Sequence, residues 1–447
     1  MNALTSTLAC PRCRSPLADL RCVACRVDFP VHGDVPWLFA DPAAAVTEWQ
    51  NRWQFALARV DRDREQVTAA LARGAPGATR RRLETLGRGY DALRTELDTL
   101  LKPLRLASGG SLETHLALRT RLPTVQGLLS YEANVHRDWC WGAVETEAAL
   151  AEVTGALGRQ RFQRVLVLGA GAGRLAYDLH QALEPDLTVA LDLNPLLTYV
   201  GCRAAAGETL TLTEFPLAPA GPEQVAITRS LAAPEPARPG LSFVLADVSR
   251  PPFRHGAFDL VVTPWLLDVV GDSVDELVKR INRVLAYNGV WLNHGSTAFQ
   301  NADPALRYTW EEVAELARHN GFETSSVREA SLPYLCCPDS GHSRIERVVT
   351  SRAVRIADAS EPEIHRALPD WIVSGRCPVP ALPAFQNQAM TTRIHAFIMS
   401  LIDGRRSLKD MAAELERQRL MSREEAEIAL RGFLVKMHDE ARSSAGL

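Results

Sequence analysis

The 447-residue chain has no long apolar run. Its most apolar stretch, Leu260 to Val270, is short and holds Pro264 and Asp268. A membrane span needs roughly 20 apolar residues, so none is expected. Met1 to Leu8 have neither the basic start nor the apolar core of a secretory leader. An excess of one charge is also missing: 50 Lys and Arg stand against 53 Asp and Glu, a formal net charge of -3. Global electrostatics therefore give no signature of nucleic-acid binding, and only a local basic patch stays open. The 28 Gly and 27 Pro have no period, which excludes a collagen-like or low-complexity chain. An apolar fraction of 46% excludes disorder as the main state. These absences point to a cytoplasmic protein without a membrane partner. Cysteines stay reduced there, so the nine Cys are read as ligands or core residues before disulfides.

The length allows two or three domains and one large core. Composition separates four regions. Residues 1–40 are dense in Cys and Pro. Residues 41–130 are rich in Arg, Ala, Leu and Glu, which suits helices; there Trp49, Trp53, Leu57 and Val60 recur at helical spacing and suit packing. Residues 131–355 alternate β-rich and helical runs, the signature of a doubly wound α/β sheet. Residues 356–447 hold a Pro-rich connector, Pro369 to Pro383, and a helical end. Five prolines between Ala218 and Gly240 mark an excursion or lid between two core strands.

Near the start, Cys10-Pro11-Arg12-Cys13 is followed by Cys22-Val23-Ala24-Cys25. A C-x-x-C turn presents two thiolates on one side, and two such turns close a tetrahedral shell around Zn2+. Four protein ligands leave no open position, so the site is structural. So small a segment has too little core of its own and depends on the metal to fold. With Gly33-Asp34-Val35-Pro36-Trp37-Leu38 behind it, the segment resembles the zinc-ribbon activator proteins that pair with tRNA- and protein-modifying methyltransferases.

The buried-strand pattern Arg164-Val165-Leu166-Val167-Leu168 runs into Gly169-Ala170-Gly171-Ala172-Gly173 and then a helix start, Arg174 to Leu179. Strand, glycine turn and helix form a nucleotide-binding beginning. The spacing is G-x-G-x-G, the form of class I methyltransferases, in which the turn passes beneath the amino-acid part of S-adenosyl-L-methionine. Plain Rossmann enzymes use glycine turns too. Asp192 ends the second strand, placed to accept both ribose hydroxyls. Asp247 ends the third, where methyltransferases bind the adenine amino group. Phe258-Asp259-Leu260-Val261-Val262 has the form of their fourth strand. Either acid alone serves equally as a helix cap; the ordered set points to S-adenosylmethionine and a seven-stranded class I methyltransferase sheet. Ser273 and Thr309 are read as helix caps, and Val327 and Arg347 to Arg352 as the final antiparallel pair.

Four motifs together resemble the carnosine N-methyltransferase family, which methylates an imidazole nitrogen. They are Val165 to Tyr177, Arg137-Asp138-Trp139, Leu266-Leu267-Asp268, and Gly289-Val290-Trp291-Leu292-Asn293-His294-Gly295, and the resemblance covers residues 130–355. It implies that Asn134 and Arg137 touch the cofactor, and an Arg suits bidentate pairing with its carboxylate. A surface salt bridge is the alternative for Arg137. It also implies that Asp268 holds the substrate imidazole; a loop acid satisfied by backbone N–H groups is the alternative.

The sequence departs from the family elsewhere. Its substrate-contacting His falls at Phe299, and Ser296-Thr297-Ala298-Phe299-Gln300 does not match its pattern. Asp268-Val269-Val270-Gly271-Asp272 stands where the family has D-T-A-H-N. His294 replaces an apolar residue, either as a structural histidine or as a second catalytic candidate. Tyr334 falls near a substrate-contacting tyrosine region. Carnosine itself is therefore not the expected acceptor; a different imidazole, a histidine in a peptide or protein, or another amine is. RNA is the alternative acceptor and would need a basic groove, and a non-catalytic scaffold would lack cofactor binding.

Ile394 to Ala412 reads as helix, D-G-x-R-S turn and helix, and resembles the winged-helix peptide-recognition modules of ribosomal-peptide biosynthesis. Such a module either holds a peptide substrate or packs on the enzyme.

Overall fold

The computed structural model describes residues 2–104, 127–270, 273–299, 301, 303–362 and 378–445. They divide into two compact units, Met1–Ala367 and Leu368–Leu447. The end of the expected helical region (105–126), much of the Pro-rich connector, and Gly271, Asp272 and Gln300 lie outside the described residues.

The first unit begins with two small hairpins. Strand β1 (Arg21–Cys22) pairs with β2 (Val27–Asp28), and β3 (Val31–His32) with β4 (Val35–Pro36). Two long helices follow, Pro42–Ala72 and Gly77–Leu100. Asp41 caps the first by accepting from the Ala44 N–H at 3.1 Å, and Pro42 suits its first turn. Trp49, Trp53, Ala56, Val60 and Val67 form its buried stripe at helical spacing.

The central sheet has seven strands: β5 (Arg164–Leu168), β6 (Leu187–Asp192), β9 (Leu241–Leu245), β10 (Phe258–Pro264), β11 (Leu285–Gly295), β12 (Phe322–Tyr334) and β13 (Arg344–Arg355). Their order is β12-β13-β11-β10-β5-β6-β9, and only β13 runs against its neighbours. Val165 to Leu168, Leu187 to Leu191 and Leu260 to Val262 are buried runs, as strands covered on both faces must be. This is the class I methyltransferase arrangement that the sequence implies. The order reverses between β5 and β10, which opens a crevice at their carboxyl ends. Thr309 builds a full capping box with Glu312, and Ser273 accepts from the Glu276 N–H.

The excursion expected over Ala218 to Gly240 is a hairpin that starts earlier. Strand β7 (Leu210–Glu214) pairs antiparallel with β8 (Ile227–Leu231). The prolines flank these strands and leave their ladder donors intact, so proline density hid two alternating runs. The hairpin docks on the Gly77–Leu100 helix. There the Glu96 carboxylate accepts from the Thr213 N–H at 2.7 Å, and Tyr90 stacks on Phe215 at 4.9 Å. Its tip bridges to the β12–β13 connection, with the Gly341 N–H donating to the Ala218 carbonyl at 2.8 Å.

The N-terminal segment meets the free edge of β9. Trp37 pairs in parallel with Leu245, and the Leu38 N–H donates to the Leu245 carbonyl at 2.7 Å. The Trp37 indole donates to the Tyr199 hydroxyl at 3.1 Å.

The second unit holds three helices, Pro383–Ser400, Leu408–Arg417 and Arg423–Ala445. Ser407 and Asp410 form a capping box, and Asp403 accepts from the Arg405 and Arg406 N–H groups within the D-G-x-R-S turn. Leu401, Met411, Ala412, Leu415, Ala426 and Leu430 are its core. No strand accompanies these helices among the described residues, so the wing implied by the resemblance is not seen there.

Candidate active site

Where β5 ends, the chain turns through Gly169, Gly171 and Gly173 at φ +69°, +59° and +85°. L-residues rarely adopt such angles, which explains three glycines in five positions. A Cβ at Gly171 would meet nothing within 4 Å, so the turn faces open space there. Gly173 stands back from that space and caps the Arg174–Leu183 helix.

Asp192 closes the turn from β6. Its carboxylate accepts from the Gly171 N–H at 2.8 Å and from the Asn194 N–H at 2.9 Å. Burial pushes its pKa up to about 6 even against these donors. Asp247 follows β9 and accepts from the Ser249 N–H at 2.8 Å. Gly169, Gly171, Asp192 and Asp247 line one cavity of ≈ 960 Å³. Glycine turn, open space and two acids fit the amino-acid, ribose and adenine parts of S-adenosylmethionine.

Asn134 and Arg137 line the same cavity. Arg137–Trp141 form a π-helical turn, closed by the Gly142 N–H donating to the Arg137 carbonyl at 2.8 Å. The Trp139 indole donates to the Ala172 carbonyl at 2.9 Å, and Arg174 donates to the Asp138 carbonyl at 2.8 Å. The R-D-W motif and the glycine turn are thus parts of one construction. Arg137 is ion-paired with Asp138, at 2.8 and 2.6 Å, and its guanidinium lies over the Tyr334 ring at 5.4 Å.

The far wall comes from the ends of β10, β11, β12 and β13. Trp265 sits at φ +49°, with its N–H donating to the His294 carbonyl at 2.8 Å. A Cβ at Gly295 would come within 2.8 Å of the Trp265 backbone, which requires glycine there. Trp265 packs against Tyr334 with ring centroids 4.5 Å apart. Asp268 is half-buried, and burial raises its pKa although Ser296 and the Ala298 N–H hold it back. It has no ion-pair partner among the described residues. His294 is buried, with Nδ1 2.8 Å from the Thr350 hydroxyl and Nε2 without a partner. Burial pushes its pKa down to about 4.

Every candidate cofactor and catalytic residue except Gly173 therefore reaches this cavity, and so does Phe299. Trp265, Glu145, Arg344 and Glu346 join it without having been singled out from sequence. Glu145 accepts from the Leu335 and Cys336 N–H groups at 3.0 and 2.7 Å. Arg344 pairs with Glu346 at 3.0 Å, two residues along β13, and the period-2 alternation of a strand is the one signal that links them.

The sulfurs of Cys10, Cys13, Cys22 and Cys25 all lie within 4.8 Å of one another. Cys13 and Cys22 are 3.5 Å apart and Cys10 and Cys25 4.0 Å. Tetrahedral zinc with Zn–S bonds of about 2.3 Å spaces its sulfurs about 3.8 Å apart. The Arg12 and Cys25 N–H groups donate to the Cys10 and Cys22 sulfurs. The four thiolates thus fit a structural Zn2+.

Residues 219–292 match a family model described as a methyltransferase domain, which spans β8 to β11. No curated protein sequence matches the chain. Among solved structures, a SAM-dependent methyltransferase from Methanosarcina mazei is 16% identical, covering 44% of this chain and 94% of its own at a TM-score of 0.31. The complex of the Trm112 methyltransferase activator with a putative methyltransferase from Haloferax volcanii is 14% identical, covering 52% and 94% at 0.33. The N-methyltransferase NodS from Bradyrhizobium japonicum is 13% identical, covering 47% and 94% at 0.31. Among the described residues no helix is long and apolar enough to cross a membrane.

Proposed function

We propose that this SAM-dependent methyltransferase acts on a neutral imidazole nitrogen, in a histidine-containing small molecule, peptide or protein. The observation that carries the reading is Asp268: a half-buried carboxylate without an ion-pair partner among the described residues, on the wall of the cofactor cavity. When bound, S-adenosylmethionine supplies an electrophilic sulfonium methyl. Asp192 and Asp247 would hold its ribose and adenine, Gly169 and Gly171 would leave room for its amino-acid part, and Asn134 and Arg137 would take its carboxylate. Asp268 accepts the N–H of one ring nitrogen and so fixes the lone pair on the other. Methyl transfer to that lone pair would form the N–C bond as the donor's C–S bond breaks, the electron pair staying on sulfur in S-adenosylhomocysteine. The imidazolium charge that develops is stabilised by Asp268, and no strong base is needed before attack.

Charge supports the same reading. Six carboxylates line the cavity (Asp138, Glu145, Asp192, Asp247, Asp268 and Glu346) against Arg137 and Arg344, and both arginines are already ion-paired. Such a wall suits a cationic cofactor and a basic acceptor and repels a phosphate backbone. The test is calorimetry with S-adenosylmethionine and S-adenosylhomocysteine, with Asp192→Ala as control, then an acceptor screen of imidazoles and histidine peptides. Asp268→Asn is expected to bind the cofactor normally and lose at least 100-fold in turnover. Full turnover in that variant would refute the role of Asp268.

A further inference from the structure

One wall of the cavity is built on the open ends of β12 and β13. Tyr334 stands opposite Arg344 in their antiparallel pairing and Leu332 opposite Glu346, and all four residues line the cavity. Arg344 pairs with Glu346 through Nε at 3.0 Å, and its guanidinium lies over the Tyr334 ring at 4.6 Å. Glu145 braces the connection between the two strands by accepting from the Leu335 and Cys336 N–H groups. An ion pair, an aromatic face and a braced turn thus fix the guanidinium plane. Its outer edge is open: Nη1 and Nη2 make no hydrogen bond among the described residues, and half of the side chain is exposed. Arg137, the other arginine of the cavity, is only 16% exposed and engages both Nε and Nη2 with Asp138.

An exposed ion pair adds little to stability, so stability does not explain this arrangement. A guanidinium held in one plane with an unused edge is preorganised for bidentate pairing with a planar carboxylate. Glu346 ties Arg344 to the acceptor end of the cavity. It holds the guanidinium, and burial together with the charge of Glu346 raises the Asp268 carboxyl, so the two acids share that end. We propose that Arg344 takes a carboxylate that the acceptor carries beside its imidazole. That group is either the α-carboxylate of the histidine itself, free or at a peptide C-terminus, or the side chain of an adjacent acidic residue; both lie a few bonds from the ring. With Asp268 on the ring N–H and Arg344 on the carboxylate, the acceptor is held at two points, which fixes the direction of the remaining ring nitrogen. The excess of acids on the wall still repels a polyanion, while a single carboxylate is accommodated at this one fork.

The inference rests on the imidazole reading above, and one experiment separates the two. N-acetylhistidine methylamide, N-acetylhistidine and an end-capped His-Asp dipeptide are titrated into the protein saturated with S-adenosylhomocysteine, whose binding reports that each variant has folded. The first probe is neutral outside the ring, the second adds the α-carboxylate and the third an acidic side chain. Wild type is expected to bind at least one acidic probe about 10-fold more tightly than the neutral one, as a hydrogen bond between charged groups gives, and the preferred probe names the source of the carboxylate. Arg344→Gln should lose that preference, and Arg344→Lys, a point charge without the fork, should keep part of it. The double variant Arg344→Gln with Glu346→Gln should lose it as well. A preference that survives there would mean that the single variant acted through the freed charge of Glu346, and the Arg344 contact would be wrong. Equal affinity of wild type for all three probes overturns the contact and leaves the imidazole reading standing. If no probe binds wild type, the imidazole reading falls and the Arg344 contact falls with it.

Discussion

On the proposed reading, Asp192 carries opposite demands in the free and the cofactor-bound protein. Ribose hydroxyls donate to a carboxylate, and an ionised acceptor makes the stronger bond. Burial has raised its folded pKa to about 6, above the ordinary value near 4. The free folded protein therefore takes up a proton here at a pH where the unfolded chain does not. From this residue alone, the stability of the free protein rises as pH falls from about 6 toward 4. Cofactor binding runs the other way: affinity for S-adenosylhomocysteine should fall below pH 6, by up to about tenfold per unit for one proton. Asp192→Asn should bind weakly and flatten that profile in calorimetry between pH 5 and 8; a wild-type profile in the variant would assign the titration elsewhere. The two acids and the glycines are legible in sequence because each ends a strand or fills a turn, so local pattern fixes their place. Trp265 and Glu346 are not. The first reaches the cavity through a left-handed backbone angle, and the second through the pairing of β13 with β11 across more than fifty residues of chain.

At the scale of elements, the π turn Arg137–Trp141 joins the R-D-W motif to the glycine turn. One extra residue in the helix lets Arg137 face the cavity while Trp139 and the Asp138 carbonyl dock on Ala172 and Arg174. Such a bulge has no sequence period, so the motif alone gives the arginine but not the turn. Gly142 closes it, and a Cβ there would lie 2.4 Å from the Arg137 carbonyl oxygen. Gly142→Ala is expected to cost about 1–3 kcal/mol of stability, as overpacking does. It should also weaken cofactor binding beyond what Arg137→Ala does, since it moves the whole turn. Denaturant melts and calorimetry read both effects. The parallel strands are legible in sequence because each carries its own motif residue. The β7–β8 hairpin carries none, and its alternating runs were masked by flanking prolines.

Across the whole molecule, the segment that carries the four cysteines is part of the core built around the central sheet. Trp37 belongs to the apolar cluster that holds Val165, Val167 and the Trp49 and Trp53 side chains. Leu38, with Leu8, Cys10 and Cys22, belongs to the cluster that holds Leu166 and Leu168. Neighbouring residues thus serve different clusters, as in a strand, and their pairing with Leu245 covers a sheet edge beside Asp247. Removing the metal with a chelator, or Cys13→Ser, should therefore lower the melting temperature of the entire unit in one transition. Affinity for S-adenosylhomocysteine should drop, and amide exchange should rise over residues 245–248. Two separate transitions with unchanged cofactor affinity would mean an independent ribbon. The second unit follows the opposite logic. Its core runs from Leu401 to Leu430 and shares no residue with the other two clusters. Separate cores predict separate folding. A chain ending at Ala367 should melt within a few degrees of the full chain and bind S-adenosylhomocysteine within twofold. If the helical unit presents peptide substrates, that shortened chain should keep turnover on N-acetylhistidine methylamide and lose affinity only for longer histidine peptides. Equal loss on both would refute that role.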